Sequence, residues 1–435
     1  MNRKITVALA GLGNRGKDTY AKAAKAYPDK MEIVAIADVN PRKVAMVAEE
    51  YHIPKERCYT SAEEMLQEDK LADVMFITTQ DRQHVRHAIP ALKKGYHLLL
   101  EKPVSPDLDE CREIVKVARE CDRKVVVCHV LRYTPVFRKV KEILDSGVIG
   151  EIVSINASEN VGWFHMAHSF VRGNWRNSDF SSPMILQKCC HDMDLYLWLA
   201  NKKCKSLSSF GSTYLFKKEN APEGCTVRCL DGCKVKAECP YDAEAIYLDN
   251  ERIGARNGNT GWPLNVLTEV PSEESIEEAL KTGPYGRCVY HCDNNVVDHQ
   301  VVNLNMTDGS TMSFSMNGHT ADFARHAQFC GTKGEVKVTM GSWELEDDFI
   351  ETMVYGSKLQ TELIHAGDLA DNFSGHGGGE IVMVEEFLDI LLGNREESPS
   401  ITSLERSIES HYCALAAEQS QLNGGAVIEL DDIRE

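Results

Sequence analysis

From Ile5 to Ala10 the chain is apolar but for Thr6, and it then enters GLGNRG. A nearly continuous apolar run of this length predicts a strand covered on both faces, followed by a glycine turn and a helix. The pattern recurs. MEIVAIADVNPRKVAMVAEEY predicts a second buried strand, with Asn40 as helix N-cap and Pro41 at the first helical position. ADVMFITTQ predicts a third strand, and QHVRHAIPALKKG a helix ending at Gly95. YHLLLEKPV predicts a fourth strand, after which Ser105 caps and Pro106 starts a helix. Its apolar positions Leu108, Cys111, Ile114, Val115 and Ala118 follow the helical period. KVVVCHVLRY predicts a fifth strand. Strands alternating with helices in this way predict an α/β domain with a parallel, doubly wound Rossmann sheet.

After KVKEILDSGVIGEIVSINASE the rhythm changes. VVDHQVVNLNMTDGSTMSFSMNG predicts a hairpin around Asp308-Gly309, and HAQFCGTKGEVKVTM another around Gly334. Two helices follow, over 380–392 and 404–421, the second with Leu404, Ile408, Tyr412 and Leu415 on one face. The polar stretch 217–295 interrupts the strands as an insertion. No internal repeat is present. A length of 435 residues fits two domains: a nucleotide-binding domain over 1–130, and an α+β domain with a mostly antiparallel sheet over 131–435.

Charge narrows the partners. The formal net charge of −18 repels nucleic acid and anionic membrane surfaces. No apolar run approaches the roughly 20 residues of a membrane helix, and no targeting segment is recognised, so a cytoplasmic location is expected. In a reducing compartment the 15 cysteines require a reading other than disulfides. Cys111, Cys121 and Cys128 sit singly in apolar patterns as small core residues.

Gly11, Gly13 and Gly16, with Asn14 and Arg15 between them, form a GxGxxG fingerprint after a strand and before a helix. The glycines permit a tight turn and close approach of a pyrophosphate, which the helix N-terminus would face. Asp38 ends the second strand. A carboxylate there suits the ribose hydroxyls of NAD and repels the 2′-phosphate of NADP, although Arg42 nearby keeps NADP open.

These features, with Glu101-Lys102-Pro103 at a strand end and His191-Asp192-x-Asp194 downstream, resemble the Gfo/Idh/MocA oxidoreductases. The resemblance implies a Rossmann domain, a C-terminal open sheet, and hydride transfer between a nicotinamide and a hydroxyl of a sugar, cyclitol or related compound. It also implies association of like chains, as dimers or tetramers, through the outer face of that sheet. By the same resemblance Lys102 reaches the reacting hydroxyl, and Glu101 anchors the cofactor or the lysine. Thr78, Thr79 and His84 after the third strand contact cofactor.

Gln187 stands where the family commonly has an aspartate, and His191 where it has a histidine. This leaves His191 as general base, since neutral imidazole accepts an alcohol proton near neutral pH. Lys188 is a candidate second cation, and Asp192 and Asp194 candidate orienting groups. Arg132 and Tyr133 after the fifth strand, and Arg172, Trp175 and Arg176 in FVRGNWRN, are candidate sugar contacts. His376, in the glycine run HGGGE, is a candidate histidine delivered by a flexible loop.

Two alternatives keep the same site. One is a redox-neutral NAD-dependent glycosidase that oxidises, eliminates, hydrates and re-reduces; the histidine-glycine run resembles one found in such relatives. The other is a non-catalytic cofactor or sugar sensor on the same scaffold.

CTVRCLDGCKVKAECPYD gathers Cys225, Cys229, Cys233 and Cys239, and Cys288 and Cys292 follow across the insertion. Clustered thiolates suit zinc or an iron–sulfur cluster. The preferred arrangement is a structural zinc held by Cys229, Cys233 and Cys239, with Cys288 or Cys292 completing four, pinning a loop without its own core.

Overall fold

The computed structural model describes residues 3–341, 348–370 and 377–435. The first sheet contains β1 (Ile5–Ala10), β2 (Met31–Ala37), β3 (Cys58–Tyr59), β4 (Val74–Ile77), β5 (His97–Leu100) and β6 (Val125–Val127). All pairings are parallel, in the order β3-β2-β1-β4-β5-β6. The order reverses beside β1, which opens a crevice at the strand ends between β1 and β4. The five predicted strands are all present. The two-residue edge strand β3 was not foreseen, because it is too short to show a period. Asn40 caps the helix Pro41–Glu50 as expected. The helix after β5 starts later than predicted: Asp107 caps Leu108–Glu120, while Ser105 Oγ receives the Asp107 amide.

The second sheet has nine strands: β7 (Ile152–Asn160), β8 (Cys204–Ser212), β9 (His299–Met306), β10 (Thr311–Asn317), β11 (Arg325–Gly331), β12 (Gly334–Met340), β13 (Phe349–Val354), β14 (Gln360–His365) and β15 (Ile428–Glu429). Its order is β14-β13-β12-β11-β7-β10-β9-β8-β15. Every pairing is antiparallel except β7 with β10. The hairpin at Asp308-Gly309 forms as predicted, with Gly309 at φ +87°. In the next hairpin the turn is Thr332-Lys333, and Gly334 already belongs to β12. One face of this sheet is buried through Val302, Leu304, Met312 and Phe314. The other leaves Val301, Asn303, Asn305, Thr311 and Ser313 exposed.

Space does not follow chain order. The helix Gly379–Leu392 returns from the C-terminal half to cover the parallel sheet, where Met383, Val384, Phe387 and Leu388 share a core with Ile5, Val7, Leu9 and Val126. The insertion between β8 and β9 also departs from expectation. Ile246, Tyr247, Leu248, Leu264, Ile276 and Leu280 give it a small apolar core, closed by Phe164 and Tyr285. The segment reads as polar because its apolar residues are scattered among short turns and share no single period. The glycine run is not a free loop either. A Cβ on Gly379 would stand 2.2 Å from the Val130 carbonyl, and one on Gly377 would stand 2.3 Å from Met340.

Candidate active site at the domain junction

The glycine turn is fixed from three sides. Gly11 has φ +91°, and a Cβ there would lie 2.5 Å from the Thr78 carbonyl oxygen. Thr78 Oγ1 donates to the carbonyls of Ala10 and Gly11, tying β4 to the turn. A Cβ on Gly16 would lie 1.9 Å from the Gly11 oxygen, so helix and strand touch through this glycine. Gly13 would meet nothing within 4 Å and faces open space. The segment that follows is wound as a π turn over Asn14–Thr19. The Asp38 carboxylate sits at the end of β2 and accepts from the amides of Leu12 (2.6 Å) and Asn40 (2.8 Å). This is a cradle that a side chain would fill, with an acid fixed at its far edge. It fits a dinucleotide whose ribose hydroxyls meet a carboxylate. Arg42 is exposed on the next helix.

Arg15 turns inward instead of toward the turn's open side. Its guanidinium donates to Glu101 (2.8 Å), Tyr20 (2.7 Å) and Glu380 (3.2 Å). Glu101 is buried and also accepts from Tyr20 and from the Lys102 amide. Burial alone would raise its carboxyl pKa. The charges of Arg15 and Lys102 and the hydrogen bonds overcome that and hold the group below the usual carboxylate range. Glu101 is thus an anchored anion under the backbone that carries Lys102.

The Lys102 ammonium leaves the end of β5 and donates to the main-chain carbonyl of Gln187, 2.8 Å away. The Lys102–Pro103 peptide is cis. The buried His84 ring faces the carbonyls of Pro103 (2.7 Å) and Thr79 (3.1 Å), so it joins the third and fourth predicted strand ends through their backbones. Thr79 meets His87 at 3.1 Å.

Gln187 ends the short helix Met184–Gln187, and the helix Cys190–Ala200 carries His191. Lys102 and His191 therefore meet at one junction. Lys102 reaches it through the Gln187 backbone, a contact that the identity of the Gln187 side chain does not reveal. Lys188 pairs with the buried Glu159 (3.1 Å). Glu159 also meets Arg325 (2.8 Å), which in turn binds Asp192 (2.8 Å). Burial pushes the Asp192 carboxyl above its usual range, and Arg325 and Lys188 pull it back. Asp194 forms a buried two-point pair with Arg132, at 2.6 and 2.5 Å. Asp192 and Asp194 thus hold their helix to β11 and to the end of β6.

Two further histidines stand behind His191. The ring of His129 is edge-on to His191 at 5.4 Å, and His411 is edge-on to His129 at 5.5 Å. His411 Nε2 accepts from the Val104 amide (2.8 Å), two residues past Lys102. Burial pushes His129 well below the usual histidine range, and the nearby charges of Arg132 and Lys102 push it the same way. Burial and His129 take His411 to about 3. Both rings are neutral near neutral pH. His129 could have been found in the sequence as the first polar residue after the fifth apolar run. Nothing local marks His411.

Several predicted substrate contacts lie elsewhere. The Arg132 guanidinium is enclosed by Asp194 and the Trp198 ring, 5.5 Å off. Tyr133 is buried, and its hydroxyl accepts from the Thr402 amide. Arg172 is fully buried under the insertion, donating to the carbonyls of Arg287 and Tyr241. Arg176 is paired with Asp293 at 2.7 Å, and Trp175 stacks on Phe170. His376 lies outside the described residues.

The insertion crosses to the nucleotide-binding half. Glu269 accepts from Asn40 Nδ2 (2.8 Å), two residues beyond Asp38, and Asn265 reaches Asp18 (3.4 Å). Its cysteines do not assemble as expected. Cys292 Sγ donates to the Cys288 carbonyl. Among the described residues the ligand atoms that converge are those of Cys225, Cys288 and His291.

The fold and this junction define an oxidoreductase of the Rossmann type. Residues 5–129 match "Oxidoreductase family, NAD-binding Rossmann fold" and residues 137–247 match "GFO/IDH/MocA C-terminal domain". The chain belongs to the Gfo/Idh/MocA family. It is 22% identical to YteT of Bacillus subtilis over 399 residues, 89% of this chain and 88% of that one. It is 22% identical to inositol 2-dehydrogenase 3 of Saccharopolyspora erythraea over 63% of this chain and 78% of that one. The solved WlbA dehydrogenase of Bordetella pertussis, in complex with NADH and UDP-GlcNAcA, superposes with TM-score 0.68 at 18% identity, covering 99% and 98% of the two chains. Among the described residues no helix is long and apolar enough to cross a membrane.

Proposed function

We propose that this protein is an NAD-dependent dehydrogenase acting on a hydroxyl of a sugar, glycoside or cyclitol. One observation carries the reading. The Lys102 backbone amide is anchored on the buried Glu101 carboxylate at the end of β5, and the ammonium is directed across the junction to the segment that bears His191. In open α/β sheets ligands lie at these strand ends. Lys102 hydrogen-bonds the substrate oxygen and stabilises alkoxide character as it develops. His191 takes the hydroxyl proton. Bound nicotinamide supplies the hydride acceptor. Lys188, paired with Glu159, adds positive charge at the same junction. The names of the inositol dehydrogenase and the WlbA complex support a polyhydroxylated substrate.

Asp38 favours NAD over NADP, because its carboxylate stands at the ribose edge of the cradle. A homo-oligomer formed through the exposed face of the nine-stranded sheet is part of the same reading. The test is a panel of inositols, aldoses, sugar acids and glycosides, followed by nicotinamide absorbance with NAD and with NADP. NAD-linked turnover that Lys102→Met abolishes while NAD still binds supports the reading. Full turnover by that variant overturns it. Release of aglycone over many turnovers without net NADH would instead place the site in the redox-neutral glycosidase class.

A further inference from the structure

The insertion contains a second site that the hydride chemistry does not use. Cys225 and Cys229 enter it from one segment and Cys288 and His291 from another, brought together where Arg228 and Arg287 form an isolated bridge. Cys225, Cys229, Cys233, Cys239 and Cys288 line one cavity, with Arg172, Tyr241 and Asp242 on its walls. The ligand atoms of Cys225, Cys288 and His291 all lie within 4.8 Å of one another, and Cys225 Sγ stands 3.5 Å from His291 Nε2. Zinc–sulfur bonds of about 2.3 Å in a tetrahedron put neighbouring ligands about 3.8 Å apart. The three atoms are therefore spaced much like one face of such a tetrahedron. The cavity lined by Cys225 and Cys288 has a volume of about 10 Å³, room for one atom-sized occupant.

Arg172 supplies an independent observation. It is fully buried, and none of its hydrogen bonds goes to a carboxylate. One Nη donates to the Tyr241 carbonyl and lies 3.6 Å from Cys229 Sγ, while Nη1 has no hydrogen-bond partner. A buried cation is stable only beside compensating negative charge. Three thiolates, one neutral imidazole and a divalent ion sum to −1, which Arg172 would neutralise.

The geometry points to a single zinc-type ion bound by Cys225, Cys288 and His291. A thiolate from the wall formed by Cys229, Cys233 and Cys239 completes the tetrahedron, and Arg172 acts as counter-charge. This replaces the set expected from spacing: Cys225 and His291 enter, only one of Cys229, Cys233 and Cys239 stays, and Cys292 leaves. The ion would join the two halves of the insertion, whose other end meets Asn40 and Asp18.

The test is elemental analysis of the purified full chain, with cobalt replacement as a second measurement. We expect about one zinc per chain, and a cobalt form with thiolate-to-metal charge transfer and the intense visible bands of a tetrahedral site. Cys288→Ser and His291→Ala should lose most of the metal, and Cys292→Ser should retain it. Metal-free wild-type protein would overturn the proposal, and so would iron with acid-labile sulfide. Should Cys288→Ser fail to fold, the wild-type metal content and the cobalt spectrum still decide. Loss of metal in Cys292→Ser with retention in His291→Ala would overturn the ligand assignment.

Discussion

Lys102 Nζ and the Gln187 carbonyl are 2.8 Å apart, and this one hydrogen bond spans the two halves of the protein. It holds the ammonium beside the segment that leads into His191. An ammonium carries three donors, so Lys102 can hydrogen-bond a substrate hydroxyl while it keeps the Gln187 carbonyl. Lys102→Met is expected to leave thermal stability and NAD affinity nearly unchanged and to lower kcat by roughly 10²–10⁴-fold, the usual range for a lost proton-transfer or oxyanion group. Dinucleotide binding by fluorescence and steady-state rates on the best panel substrate decide it.

Glu101 predicts a different signature. It is a positioning residue, buried and linked to Arg15, Tyr20 and the Lys102 amide. Glu101→Gln keeps the shape and removes the charge, leaving Arg15 with Glu380 and partial solvent contact. The expected cost is about 3 kcal/mol, the lower end for breaking a buried pair from one side. Urea unfolding measures it. If the anchor places Lys102, kcat should also fall while KM for NAD changes little. A stability loss with normal kcat in the folded fraction would leave Glu101 without a positioning role.

The contrast between these two residues shows what the chain makes legible. Apolar runs and a glycine fingerprint are local, and they located β1, β2 and β4–β6, the turn at Gly11 and the lysine at the end of β5. Side-chain partnership is not local. Arg132 and Asp194 are 62 positions apart, and no spacing announces that each exists for the other. Charged residues after a strand end therefore resemble ligand contacts until the partner is seen. Arg172 is the same case: an arginine beside a tryptophan in a polar stretch reads as a sugar contact, yet the insertion folds over it. His411 enters the junction from a C-terminal helix whose face reads only as core.

The glycine turn gives a third prediction. At Gly16 a Cβ would lie 1.9 Å from the Gly11 carbonyl and 2.6 Å from Thr78 Oγ1, so Gly16→Ala must push the helix from the strand. At Gly13 the same change meets nothing within 4 Å of the protein. Gly16→Ala should lower stability by about 1–3 kcal/mol, within the range for overpacking. Gly13→Ala should leave stability within about 0.5 kcal/mol and weaken NAD, because its methyl projects into the open side. Paired melting and NAD titrations separate the two. Equal NAD affinity in Gly13→Ala and wild type would remove that glycine from the cofactor cradle.

Contacts between the insertion and the nucleotide-binding half support a fourth. Glu269 holds Asn40 while Asp38 holds the Asn40 amide, so the insertion braces the segment that carries Asp38. Glu269→Ala should raise the Kd for NAD several-fold, mainly through faster release, with kcat at saturating NAD unchanged or raised. Stopped-flow displacement of NADH reads the release rate directly. An unchanged rate would confine Glu269 to a surface contact.

The titrating groups set the pH profile of stability, and two arms of opposite sign are expected. His411 is held near 3 and His97 near 4, both from an ordinary 6.5, chiefly by burial. Each ring is neutral in the fold and protonates first in the unfolded chain. Their contribution is complete above about 6.5 and is lost as the pH falls toward 4 and then 3. Glu418 works the other way. Burial raises its carboxyl from 4.5 to about 7, so the fold favours the protonated acid. Its contribution is complete below 4.5 and is lost as the pH rises through about 7. Glu418→Gln should therefore stabilise the protein above neutrality while changing little in acid, and His97→Gln should flatten the acid limb. Melting temperatures across the pH range test both. A Glu418→Gln gain that is the same at acidic and alkaline pH would show that the side chain acts through packing and not through its proton.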